Sequence, residues 1–200
     1  FRRVLFRSMR LPVDYLSASA HKFHGPKGVG FLYARKNQDL SSFIHGGSQE
    51  RGKRAGTENV AGIVGMAQAL VIAAQEMPYT RGKITRLRNY FAERVRHEIP
   101  NIRLNGHPYK RLPGNVNFSI EGIDATALLV LLEEEGICAS AGSACNTGQT
   151  RISHVIEAIR VPENYAAGSV RFTMGRDTTR RDVDACVDAL KRCVIILRQG

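Results

Sequence analysis

The sequence predicts an α/β chain, and three observations carry that prediction. Short runs of β-branched, aromatic and other apolar residues recur at 13–20, 28–34, 116–120 and 169–174. Stretches with apolar residues at i, i+3, i+4 and i+7 separate them. The order is strand-strand-helix, then helix-strand-helix-strand-helix-strand-helix, which sets helices against sheet.

Each element follows from its residues. The run at 13–20 reads as a buried strand, with Lys22 just beyond its end, and 28–34 returns from the turn as a second strand. A polar, glycine-rich loop, His45-Gly-Gly-Ser-Gln-Glu-Arg-Gly-Lys-Arg-Ala-Gly-Thr57, comes next. Val60, Ile63, Val64, Ala67, Leu70, Val71 and Ala74 then form one apolar stripe of a helix that begins near Thr57 and ends at Pro78. A second helix spans 80–99, with Ile84, Leu87, Phe91 and Val95 inside and arginines outside. Pro100, Gly106 and Pro108 break the chain before the strand at 116–120. Asp124 is a good N-cap for a helix over 125–135, and Gly136 a good stop. A short strand at 137–140 leads into a loop of small residues. A helix at 153–160, a strand at 169–174 and a helix at 180–197 complete the chain.

Composition narrows the function classes. Two hundred residues that are 43% hydrophobic suffice for a sizeable core. No run approaches the roughly 18 apolar residues of a membrane helix, and no apolar segment of a secretory signal follows the basic N-terminus. The expected compartment is the cytoplasm, with no membrane partner. The net charge is +11, which suits phosphate-bearing ligands or acidic partners, and nucleic-acid binding is the less favoured reading. Residues 1–8 carry Arg2, Arg3 and Arg7 without periodicity and read as a non-native segment. Cys138, Cys145, Cys186 and Cys193 form no CxxC pair, so no metal site is expected. Cys186 and Cys193 share a helix face as structural thiols, and Cys138 reads as core.

Four places carry candidate chemistry. Lys22 lies in Ser19-Ala-His-Lys-Phe-His-Gly-Pro-Lys-Gly-Val-Gly30, flanked by Ser19 and His21, which both can hold a phosphate. Partial burial beside other cations favours the free amine that a Schiff base needs; a solvated basic turn is the bland reading. The stretch from Gly47 to Arg54 nearly matches a phosphate-binding P-loop but ends in Arg where a hydroxyl is required, so a nucleotide site is rejected. Thr57 caps the following helix, offers its N-terminus to an anion, or both. Cys145 lies in a loop of small residues, accessible to a reactive partner. Arg171 alternates with Val170 and Phe172 on a strand, where it holds a substrate carboxylate or makes a surface ion pair.

Four motifs in order resemble a known family: the segment 19–30, the loop 45–57, Ala141-Gly-Ser-Ala-Cys145, and Ser169-Val-Arg-Phe-Thr-Met-Gly175. They resemble the class I cysteine desulfurases, pyridoxal-phosphate-dependent members of the class-V aminotransferase group that serve iron–sulfur cluster and nitrogenase cofactor assembly. The resemblance implies a fold-type I pyridoxal-phosphate transferase. Residues 9–77 would be the C-terminal part of its large domain, and 78–200 its small α+β C-terminal domain. It implies that Lys22 carries pyridoxal 5'-phosphate as a Schiff base and that Ser19 and His21 hold the phosphate. Thr57 would reach the cofactor of a second subunit in a homodimer. Arg171 would bind the carboxylate of L-cysteine, and Cys145 would receive its sulfur as a persulfide for delivery to an acceptor or scaffold protein.

The family is about twice this length, so the resemblance implies a C-terminal fragment. Its missing half would supply the aromatic ring stacked on the cofactor and the acid at the pyridine nitrogen. After Cys145, Asn146-Thr-Gly-Gln-Thr-Arg151 departs from the family's usual run, which loosens expectations for the acceptor rather than the nucleophile. A selenocysteine lyase or aminotransferase-like enzyme of the same fold is the runner-up. A cysteine hydrolase pairing Cys145 with His154 or His21 lacks a recognisable third residue, and a basic binding module is the remaining alternative.

Overall fold

The computed structural model describes residues 13–141 and 152–199. The chain divides into two compact units, Phe1–Pro78 and Tyr79–Gly200.

The first unit is built on a hairpin. Strands β1 (Tyr15–Ser19) and β2 (Gly30–Ala34) pair antiparallel, from Tyr15 opposite Ala34 to Ser19 opposite Gly30. A single 3-10 turn, η1 (Ala20–Phe23), follows β1 directly. Ala20 is fully buried and donates to Val29 O, and Gly25 donates back to Ala20 O, closing the turn. Gly30 is required here, because a Cβ would lie 2.5 Å from Ala18 O. The expected strand therefore stops at Ser19, and Lys22 sits within η1 rather than on an extended end.

The glycine-rich loop contains one turn, α1 (Gln49–Gly52), in which Glu50 and Arg51 take positive φ. It is tied internally: Lys53 Nζ donates to Leu40 O, and Gly56 N donates to Gln49 Oε1. Helix α2 (Val60–Glu98) starts later than expected. Asn59, not Thr57, caps it, accepting from Gly62 N at 3.0 Å. Thr57 stands exposed in the loop ahead of the helix.

The two helices expected on either side of Pro78 are one. Proline removes one N–H donor and crowds the preceding turn, but strong helix formers (Ala73, Ala74, Gln75, Glu76, Met77) precede it, the residues from Ile84 onward bury an apolar stripe, and α2 continues through it. By length and composition alone α2 would qualify as a membrane-crossing helix, with a mean hydropathy of 1.5 over its most apolar 18-residue stretch. This corrects the expectation that no such stretch exists.

The second unit holds an antiparallel sheet in the order β3-β4-β5: β3 (Ile102–Leu104), β4 (Asn115–Ile120) and β5 (Ser169–Thr173). Val116, Phe118, Ile120, Val170 and Phe172 alternate onto one face. That face packs with Phe91, Val95 and Ile99 of α2, Leu128 and Leu132 of α3 (Ala125–Glu134), and Val183, Val187, Leu190 and Val194 of α6 (Arg180–Gln199). Phe91 centres the core, edge-on to Phe118 at 5.8 Å and Phe172 at 5.2 Å.

Caps fix the helix ends. Asp124 accepts from Thr126 N and Ala127 N at the start of α3. At its end Gly136 takes φ +75° while its N–H bonds Glu133 O and that of Ile137 bonds Leu132 O, a Schellman arrangement. Thr179 and Asp182 exchange hydrogen bonds across the first turn of α6. Two short helices, α4 (His154–Ala158) and α5 (Glu163–Ala166), enclose a smaller cluster of Ile156, Val161 and Ala166.

Candidate active site

In the first unit the chain itself brings Ser19, His21 and Lys22 together. Ser19 ends β1, His21 and Lys22 follow in η1, and all three side chains are exposed. Lys22 is thus not partly buried as expected. Its turn is held by the buried Ala20 methyl and by His24, which takes φ +66° to leave the 3-10 turn. The donor set, one primary amine with a hydroxyl and an imidazole within a single turn, fits a phosphorylated aldehyde. Thr57 belongs to the same unit, at the far end of the glycine-rich loop. Between the hairpin and that loop lies a cavity of about 830 Å³ whose lining combines apolar Phe31, Phe43 and Ile63 with cationic Arg51, Lys53 and Arg54.

Arg171 belongs to the second unit. Because Val170 and Phe172 face the core, Arg171 projects from the opposite face of the sheet. It is half-buried, and among the described residues it makes no ion pair. Its strand is bordered on both sides. Asn117 of β4 lies directly opposite, and Ser140 pairs on the other side through two backbone bonds, Ser140 N to Arg171 O at 3.1 Å and Arg171 N to Ser140 O at 2.7 Å.

This polar face was not anticipated from the sequence. Asn105 is 4% exposed and Ser119 fully buried. Asn105 Nδ2 donates to Asn117 Oδ1 at 2.6 Å and to Ser119 Oγ at 2.7 Å, and Ser169 Oγ donates to Asn117 Oδ1 at 3.2 Å. The signal was present: Asn115, Asn117 and Ser119 alternate with Val116, Phe118 and Ile120, so one whole face of β4 is polar.

The cysteines divide differently from expectation. Cys145 lies outside the described residues. Cys138, expected in the core, is exposed. The chain leaves α3 at Gly136 and rejoins the sheet only at Ser140, so the expected strand at 137–140 reduces to one bridge and Cys138 falls outside it. Cys186 is half-buried, and burial pushes its thiol up to about 12; burial raises that of Cys193 as well. Both are poor nucleophiles, as structural thiols are. Cys138 and Cys186 border a cavity of about 200 Å³ with Phe91, Phe172 and Asp182. His154 is exposed in the first turn of α4. No metal-binding cluster occurs among the described residues.

Residues 7–186 match the family described as aminotransferase class-V, and the chain belongs to that family. It is 49% identical over 94% of its length to the cysteine desulfurase IscS of Dictyoglomus turgidum, covering 48% of that protein. It is 43% identical over 93% of its length to a cysteine desulfurase of Klebsiella pneumoniae, covering 47%. Among solved structures it superimposes on a NifS-like protein with TM-score 0.83 and 36% identity, over 94% of this chain and 48% of that one. A NifS-like protein from Rickettsia africae gives TM-score 0.85 at 28% identity, over 96% and 51%. The fold is therefore the fold-type I pyridoxal-phosphate transferase fold of the NifS-like proteins. The chain spans about half the length of the curated relatives it matches.

Proposed function

We propose that this chain is the C-terminal part of a cysteine desulfurase, which converts L-cysteine to L-alanine and passes the sulfur to a protein acceptor. The reading is supported most directly by the similarity to cysteine desulfurases along 94% of the chain. The exposed amine of Lys22 beside Ser19 and His21 agrees with it, as does an Arg171 guanidinium without an ion pair among the described residues. The first unit is read as the end of the large domain, and the second as the small domain.

Lys22 is the residue to hold pyridoxal 5'-phosphate, with the Ser19 hydroxyl and His21 imidazole donating to its phosphate. Once bound, the cofactor supplies an electron sink for the substrate's α-carbon. Thr57 serves the phosphate of a second subunit, so the working form is a homodimer. Arg171 receives the substrate carboxylate bidentately. The Cys145 thiolate attacks the substrate Sγ. A sulfur–sulfur bond forms, the carbon–sulfur bond breaks, its electron pair stays with the substrate carbon, and a proton added there completes alanine. The product on the protein is a Cys145 persulfide, a reversible state. We place the protein in the cytoplasm, with iron–sulfur or related sulfur-cofactor assembly as its pathway class.

The aromatic and acidic partners of the cofactor ring belong, in this reading, to the rest of a longer polypeptide, so the chain alone lacks turnover. Incubation of the chain with pyridoxal phosphate and L-cysteine yields no alanine or sulfide. The longer polypeptide carrying it yields alanine, and Cys145→Ala there stops it. Turnover by the chain alone, or alanine production by the Cys145→Ala polypeptide, contradicts the proposal.

A further inference from the structure

We infer that Asn117 is a second carboxylate-binding residue beside Arg171, held in orientation by Asn105. The inference rests on the reading of Arg171 as the substrate-carboxylate residue and adds to it.

Asn117 and Arg171 are direct partners across β4 and β5. Side chains so paired leave the sheet on the same face, with Cβ atoms about 4.5–5.5 Å apart. With both side chains over one face, a carboxylate held by a guanidinium that lies toward β4 comes within reach of the Asn117 amide. Ser140 occupies the position on the other side of Arg171, so the row Ser140–Arg171–Asn117–Asn105 crosses the polar face of the sheet.

The Asn117 amide is not free to turn. Its Oδ1 accepts from both Asn105 Nδ2 and Ser169 Oγ. An amide oxygen has two lone pairs, and both are engaged. That leaves the Nδ2 donors, which have no partner among the described residues, directed away from Asn105. Asn105 uses its donors on Asn117 and Ser119, while its own buried Oδ1 has no partner. Unpaired buried polar atoms are rare in folded proteins. One is tolerated here in the residue that aligns Asn117.

A carboxylate has more acceptor sites than a guanidinium fork fills. Arg171 takes two of them and the Asn117 Nδ2 hydrogen takes a third. The bidentate fork aligns the carboxylate with the guanidinium, and the Asn117 contact ties that pair to the sheet and so fixes the direction of the α-carbon.

The test is titration of the isotopically labelled chain with L-alanine, following the Asn117 side-chain amide and the Arg171 Nε–H by nuclear magnetic resonance, with L-alaninamide as the probe lacking a carboxylate. L-Alanine shifts both signals and L-alaninamide neither. Asn117→Ala weakens L-alanine binding about tenfold, the loss of one hydrogen bond to a charged group. Asn117→Asp keeps Oδ1 for Asn105 and Ser169 but replaces the donor with an anion, and abolishes binding while the amide spectrum of the sheet is retained. Arg171→Ala abolishes it too. Binding unchanged in both Asn117 variants but lost in Arg171→Ala overturns this inference alone. Binding retained in Arg171→Ala, or no carboxylate-dependent shift in the unmodified chain, overturns the reading of Arg171 as well.

Discussion

The two units of this chain bury themselves to different degrees. The second has a continuous core in which Phe91, Phe118, Leu128, Leu132, Val187 and Leu190 are almost wholly shielded. The first buries Ala20, Ala55, Met66 and Leu70, and leaves Leu32, Phe43, Ile44, Val60 and Val64 exposed. Yet the first carries Ser19, His21, Lys22 and Thr57, the residues proposed for the cofactor. In this chain the candidate cofactor residues sit on the weaker scaffold and the candidate substrate residues on the stronger one.

Perturbing each unit in turn sharpens that contrast. The largest effect is expected from Phe91→Ala, which removes the ring packed on Phe118 and Phe172 and destabilises the second unit by about 3–5 kcal/mol. Leu32→Ala, at an exposed position of the first, changes stability by less than about 0.5 kcal/mol. Chemical denaturation of the two variants measures both, and equal losses contradict the contrast.

Gly30→Ala comes next. Its Cβ meets Ala18 O at 2.5 Å, so the hairpin must shift at a cost of about 1–3 kcal/mol. Hydrogen exchange should show lost protection at the amides of Ala20 and Gly25, with the β4–β5 amides unchanged. Thr179→Ala removes the hydroxyl that caps α6 and costs the second unit about 1 kcal/mol, read as a lower denaturation midpoint.

The smallest effect is electrostatic. Hydrogen bonds from Arg94 and Lys191 hold the Glu98 carboxyl down to about 2. A carboxyl lowered on folding stabilises the native state above its unfolded value of 4.5, and that contribution is lost as pH falls toward 2. The pair is partly open to solvent, so the loss stays below about 1 kcal/mol. Glu98→Gln should flatten the acid limb of the stability–pH curve over that window; an unchanged limb contradicts the assignment.

Much of this architecture is legible in the residues, and the failures are physical. Asp124 and Gly136 mark α3 because a carboxylate at an N-cap and a glycine at positive φ solve the two ends of a helix locally. The alternation of Val116, Phe118 and Ile120 marks β4 because one face is buried. Pro78 misleads, since its local penalty is outweighed by the helix formers before it and by the buried stripe of Ile84, Phe91 and Val95 after it. Thr57 misleads because Asn59 is an equally good cap three residues before Gly62. Cys138 looks apolar in sequence, but between the Schellman turn and the single bridge it is its neighbours Ile137 and Ala139 that pack on the core, and Cys138 is left exposed. Strand β3 goes unseen because three residues are too few to show a period. In the candidate site, Lys22 and Arg171 are singled out by the ordered motifs around them, since the residues alone read equally as a solvated basic turn and a surface ion pair, whereas Asn105 and Asn117 acquire meaning only from strand register.

The turn after β1, with Ser19, His21 and Lys22, is the proposed cofactor-holding turn. Reduction of a mixture of the chain and pyridoxal phosphate with borohydride, followed by peptide mapping, tests it most directly. A pyridoxyl group is expected on Lys22 in clear preference to its neighbour Lys27, with loss of that preference when Ser19 and His21 are replaced by alanine. Labelling of Lys22 and Lys27 to the same extent, or of other exposed lysines with Lys22 spared, contradicts it.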